Sequence, residues 1–116
     1  MVDETPGTYP TEWLPLPDVA EAIGETVSRV RRLLDERALI ASRRDGVLKV
    51  PSVFIVGGRP LSSLRGTAIL LQDVGFSEDE AIDWLLTPEE SLGAAPIESL
   101  LAGRKAEVRR VAQALA

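Results

Sequence analysis

Residues 16–34 read LPDVAEAIGETVSRVRRLL, and this stretch decides the fold. Its first half predicts a helix of about two turns. Pro17 suits a first helical position, Asp18 complements the positive end of the helix dipole, and Leu16, Val19, Ala20 and Ile23 recur at helical spacing. Gly24 suits the left-handed residue that ends such a helix. Thr26 then reads as the N-cap of a second helix whose apolar face is Val27, Val30, Leu33 and Leu34. Ser28, Arg29 and Arg32 fall on the opposite face, with Arg31 on its flank. Two short helices joined by a glycine turn, the second basic on its outer side, make a helix-turn-helix pattern.

Working outward, Leu39–Arg44 and Val47–Val50 flank Asp45-Gly46, a dipeptide favoured in two-residue type I′ turns. Such a turn pairs Arg44 with Val47 and Arg43 with Leu48. Ser42, Arg44 and Lys49 then share one face, and Leu39, Ala41, Leu48 and Val50 share the other with Arg43. A basic hairpin directly after a helix-turn-helix is read as a wing, closed by Pro51. On the other side, residues 1–12 (MVDETPGTYPTE) lack hydrophobic periodicity and read as a flexible acidic tail, anchored to the body by Trp13. Val53–Pro60 reads as an extended piece ending in a Gly-Gly turn. Gly57-Gly58-Arg59-Pro60 lacks the Gly-Lys-Ser/Thr of a phosphate loop.

The remainder predicts helices. Leu64–Val74 is expected to be capped by Ser62 or Ser63, and Ser77-x-x-Glu80 is a capping box opening Glu78–Leu86. Thr87-Pro88-Glu89-Glu90 reads as another helix start, broken by Leu92-Gly93. Pro96–Ala102 and Lys105–Leu115 complete the set. The expected class is α+β, mostly helical: a winged helix-turn-helix at 13–60, then a small C-terminal helical bundle at 61–116 packed on it.

Composition narrows the chemistry. The 116 residues include no cysteine and no histidine, so disulfides, thiolate nucleophiles, imidazole bases and imidazole-built zinc sites are all excluded. The net charge is −5, but it is unevenly placed. Residues 1–28 carry six acids and no base, 29–65 nine bases and three acids, 73–98 eight acids and no base, and 99–116 four bases and one acid. The basic island holds Arg29, Arg31, Arg32, Arg37, Arg43, Arg44 and Lys49. Its functional reading is a double-stranded DNA surface, with the second helix in the major groove and the wing on backbone or minor groove. Arginine suits this because its planar fork pairs with guanine edges and phosphates. The competing reading is a solvated basic face, or one that pairs with 73–98 inside the fold.

Other features carry less. Asp73, Glu78, Asp79, Glu80 and Asp83 lack calcium-loop spacing, and acids at a helix start are explained by its dipole. No metal, cofactor or catalytic residue is therefore assigned. Trp13 and Trp84 read as core anchors rather than base-stacking platforms. The first residues lack a basic and then apolar leader pattern, and the apolar runs are too short to span a bilayer. A cytoplasmic location with no membrane partner is expected. Thr5, Thr8 and Thr11, set among acids, are the candidate phosphorylation sites.

Four segments resemble those of an actinobacterial family: Leu16-Pro17-Asp18-Val19-Ala20-Glu21, Val27-Ser28-Arg29-Val30, Val50-Pro51-Ser52-Val53-Phe54 and Ala81-Ile82-Asp83-Trp84-Leu85-Leu86-Thr87-Pro88. Its members are small winged-helix DNA-binding proteins, first recognised in mycobacteria as targets of a Ser/Thr protein kinase. The likeness runs from about residue 14 to the end. It implies a winged helix-turn-helix followed by a helical region, DNA binding, and a kinase as partner. A looser likeness joins Trp84-Leu85, Pro88, Leu92-Gly93, Pro96-Ile97, Leu100-Leu101 and Gly103 to the toxin-binding domain of certain bacterial antitoxins. It implies a protein partner or self-association through 73–116.

The sequence is thus read as a non-enzymatic DNA-binding protein, a transcriptional or nucleoid regulator. Ser28, Arg29, Arg31 and Arg32 form its groove face, and Arg43, Arg44 and Lys49 its wing contacts. The alternative is a protein-interaction module, antitoxin-like or adaptor, acting through the helical half.

Overall fold

Helical spacing of apolar residues makes Leu16–Ile23 (α1) and Val27–Asp35 (α2) the first two helices. The computed structural model describes residues 8–116. Pro17 lies in the first turn of α1, and Gly24 ends that helix with φ +69°, where a Cβ would be strained. Two residues later Thr26 caps α2, its hydroxyl accepting from the Arg29 amide at 3.1 Å. Val30 and Leu33 are buried, and Val27 and Leu34 pack at the edge of the same core.

The hairpin has the predicted register. Ser42–Arg44 (β2) and Val47–Pro51 (β3) pair Arg44 with Val47, Arg43 with Leu48 and Ser42 with Lys49. Asp45 and Gly46 both have positive φ, +56° and +77°, as a type I′ turn requires. The strand is shorter than expected, because Leu39–Ala41 is buried but unpaired. A third strand was not foreseen: Trp13–Pro15 (β1) pairs with β3, giving the order β1-β3-β2. Residues assigned to the tail also join the body. Tyr9 N donates to the Leu86 carbonyl at 2.6 Å, and Ser52 N to that of Glu12 at 2.8 Å.

After β3, a single 3-10 turn at Ser52–Phe54 buries Phe54 completely. Ile55–Val56 (β4) and Arg59–Pro60 (β5) then close a second small hairpin around Gly57-Gly58, where an extended segment and turn were expected. Both glycines have positive φ.

Four helices follow: Leu64–Asp73 (α3), Glu78–Leu86 (α4), Pro96–Leu101 (α5) and Lys105–Gln113 (α6). The Ser77–Glu80 capping box forms with both reciprocal bonds, at 3.1 and 2.9 Å. The serine cap expected for α3 does not: Ser63 precedes the helix in a helical conformation, and its hydroxyl makes no cap bond. Nor does Thr87-Pro88 start a helix. Residues 87–94 instead fold back through a bridge between Glu89 and Ala94. Gly66 of α3 leaves room for the Arg109 side chain of α6, whose guanidinium occupies the place a Cβ would take.

The core is continuous. Val19, Val30, Leu39, Val50 and Phe54 from the first half join Leu64, Leu71, Ile82, Leu85, Ile97 and Val108 from the second. Fully burying each such side chain is worth about 1.5–3 kcal/mol, so the nine-residue α2, too short to be stable alone, is held helical by packing. Replacing Ser77 by Ala removes one bond of the capping box and should lower stability by about 1 kcal/mol. A shift of the urea midpoint at unchanged m-value checks this.

Candidate nucleic-acid interface

The apolar stripe of α2 faces the core, so its remaining side chains face solvent. Ser28, Arg29, Arg31 and Arg32 are all exposed, as the helical periodicity predicts. On the sheet the alternation of strand residues divides the wing cations between two faces. Arg44 and Lys49 share a face with Val47, Trp13 and Pro15, whereas Arg43 lies with Leu48, Val50 and Leu14. Arg43 and Arg44 are exposed and Lys49 is half-buried.

Charge pairing sorts the island. Among the described residues, no carboxylate forms an ion pair with Arg29, Arg31, Arg32, Arg43, Arg44 or Lys49. Arg37 differs. Its guanidinium forms an ion pair with Glu78 at the start of α4, and its Nε donates to Gln72 Oε1 of α3 at 3.1 Å. The competing reading, that 73–98 neutralises the island, therefore holds at Arg37, while the other six cations form no ion pair with a described carboxylate. The pair is partly exposed, at 29% and 45%, so its net worth is under about 1 kcal/mol.

Arg37 reaches α3 and α4 through an unusual backbone. It has φ +64° and terminates α2, its amide bonding the Leu34 carbonyl and that of Ala38 bonding Leu33. This is the two-bond ending usually made by glycine. A groove of about 470 Å³ lies between α2 and the wing, lined by Arg31, Leu34, Asp35, Ala41 and Leu48 together with the Arg37–Glu78 pair.

Sequence reasoning missed one member of this surface. The Arg44 guanidinium lies 3.9 Å over the centroid of the Trp13 ring. Trp13 packs against the core, as expected of an anchor, but it does so as a strand of the wing. The three residues of β1 are too few to show alternation, and their partner strand lies far along the chain. Trp84 is likewise partly buried against the core.

The threonines fall in different places. Thr5 lies outside the described residues, and Thr8, the first of them, is half-buried. Thr11 is engaged: its hydroxyl accepts from Val53 N at 3.3 Å and shares a 3.3 Å bond with the Ser52 hydroxyl. The acidic side chains of the described residues do not gather into a set that could hold a metal ion. No helix among them is long and apolar enough to cross a membrane.

Helix, glycine turn, basic helix and basic three-stranded wing define a winged helix-turn-helix protein. Comparison with known proteins agrees. A family model described as the wHTH domain of the DNA-binding protein Rv2175c matches residues 9–55, and one described as the Rv2175c C-terminal domain of unknown function matches 61–116. The sequence is 39% identical over 114 residues to the DNA-binding protein Rv2175c of Mycobacterium tuberculosis (strain ATCC 25618 / H37Rv), covering 87% of this chain and 78% of that protein. The NMR structure of Rv2175c matches with a TM-score of 0.82 at 33% identity, over 100% of this chain and 99% of that one. The chain belongs to the Rv2175c family.

Because Arg29 and Arg32 are exposed and lie outside the ion pairs of the described residues, replacing both by Ala should change stability by no more than about 0.5 kcal/mol each. Leu33→Ala, on the opposite face, should cost about 2–5 kcal/mol. Thermal unfolding of the two variants side by side measures the contrast.

Proposed function

We propose that this protein binds double-stranded DNA through α2 and the wing, as a transcriptional or nucleoid regulator without enzymatic activity. The observation that carries the reading is the set of six cations, free of ion pairs with described carboxylates, on a helix-turn-helix frame. Ser28, Arg29 and Arg32 face the major groove, Arg31 takes a flanking phosphate, and Arg43, Arg44 and Lys49 contact the duplex from the wing. The name of the M. tuberculosis relative supports the same assignment. In this reading the wing and helices of 13–60 touch the DNA, and the helical region 61–116, with its acidic 73–98 segment, braces them from behind.

A Ser/Thr protein kinase is part of the proposal, with Thr5, Thr8 and Thr11 as candidate acceptors. Phosphate adds about −1.5 to −2 charges and would compete with DNA for the basic surface. Modification of Thr11 would first require its hydroxyl to leave Ser52 and Val53. The location that goes with this reading is the cytoplasm.

Fluorescence anisotropy with a mixed-sequence duplex at several salt concentrations tests the proposal. Non-specific affinity of about 10⁻⁴–10⁻⁶ M at physiological salt is expected, falling steeply as salt rises. Arg29→Ala with Arg32→Ala should weaken binding and flatten the salt slope by about one contact per phosphate-pairing arginine removed. Arg37→Ala should leave the slope unchanged, since Glu78 already neutralises that charge. Absence of binding at low salt would sink the DNA reading and favour the interaction module. Among the described residues, Ile69, Leu101 and Leu115 are the exposed large apolar side chains of that half, and scattered exposed apolar residues are ordinary on a protein surface.

A further inference from the structure

We infer that Trp13 is a positioning residue for DNA binding: its indole holds the Arg44 guanidinium in a fixed pose on one face of the wing. This rests on the proposed DNA-binding function and assigns a role within that site to a residue outside the basic island.

The argument is geometric. In the sheet order β1-β3-β2, Trp13 pairs with Pro51 and Arg44 with Val47, so both project from one face although they sit on opposite outer strands. Arg44 reaches back across β3, and its guanidinium carbon lies over the indole, 3.9 Å from the ring centroid. A guanidinium over a ring face is attracted by the ring quadrupole without using a hydrogen-bond donor on a polar partner. Among the described residues, no hydrogen bond or ion pair engages the Arg44 donors.

The platform is itself anchored. Immediately before Trp13, the Glu12 amide donates to the Ser52 hydroxyl at 3.2 Å, and Ser52 N donates to the Glu12 carbonyl at 2.8 Å. Thr11 adds its bonds to Ser52 and Val53. The backbone under the ring is therefore tied to the end of β3. The type I′ turn at Asp45-Gly46 fixes Arg44 from the other side. A long side chain normally loses rotamer freedom when it meets a phosphate or base edge; here much of that ordering exists before the partner arrives.

Duplex titrations of the full chain over a range of salt concentrations test this with four proteins: wild type, Arg44→Ala, Trp13→Leu and the double variant. Arg44→Ala should lose affinity and about one unit of salt slope. Trp13→Leu keeps the charge and an apolar side chain, so affinity should fall about two- to fivefold at unchanged slope. In the Trp13→Leu background, Arg44→Ala should cost correspondingly less. Trp13→Phe, which retains a ring face, should recover part of the loss.

The outcomes separate. If wild type shows no salt-dependent binding, the DNA reading falls and this inference with it. If wild type binds but Arg44→Ala or Trp13→Leu matches it, only this inference falls. A loss of slope in Trp13→Leu would mean that Trp13 merely supports the sheet, and would overturn the positioning role. Should Trp13→Leu not fold by circular dichroism, the wild-type protein decides. The Arg44 Hδ protons must be shifted upfield by the indole ring current in the free protein and in the duplex complex, and unshifted protons would overturn the inference.

Discussion

Everything in the first half depends on burial of one stripe along α2. Nine residues, four of them ionised on the solvent side or at the helix end, do not hold a helix in water. Val30 and Leu33 supply the missing free energy by entering the core beside Val19, Leu39 and Val50. Once that face is committed inward, periodicity leaves Ser28, Arg29 and Arg32 no place but outside. The same packing that folds the helix presents its cations, so fold and candidate site have one cause.

The C-terminal helices extend that cause. They continue the same core through Leu64, Ile82 and Val108 and bring acids to one point of the basic island. Glu78 stands at the start of α4 because acids suit the positive end of a helix dipole, and from there it meets Arg37. Arg37 occupies a left-handed position that glycine would take more cheaply. The side chain that replaces glycine there links the end of the basic helix to both α3 and α4. One cation of the island thereby takes an architectural role, and the other six form no ion pair with a described carboxylate.

Much of this was legible beforehand, and the failures are instructive. The turn at Asp45-Gly46, the register of β2 and β3, the Thr26 cap and the Ser77 capping box all follow from local chemistry, and all formed as read. Local signals misled at Thr87-Pro88 and at Ser62-Ser63. In the first case the chain folds back through a bridge between Glu89 and Ala94; in the second the serine is buried and helical rather than an extended cap. The deepest miss was β1. Three residues cannot display a period, so nothing local shows that Trp13, which does anchor on the core, also belongs to a strand of the wing and seats Arg44.

What the sequence determined by itself is therefore what rests on neighbours within a few positions: helix faces, caps, the hairpin turn and the segregation of charge along the chain. These are short-range constraints of backbone geometry and side-chain spacing. Tertiary structure alone decided which basic side chains are neutralised and which are held. Arg37 meets Glu78 forty-one positions away, and Arg44 meets Trp13 across an intervening strand. Charge and aromatic contacts depend on distance in space, and no spacing in the sequence encodes that distance until the core has closed.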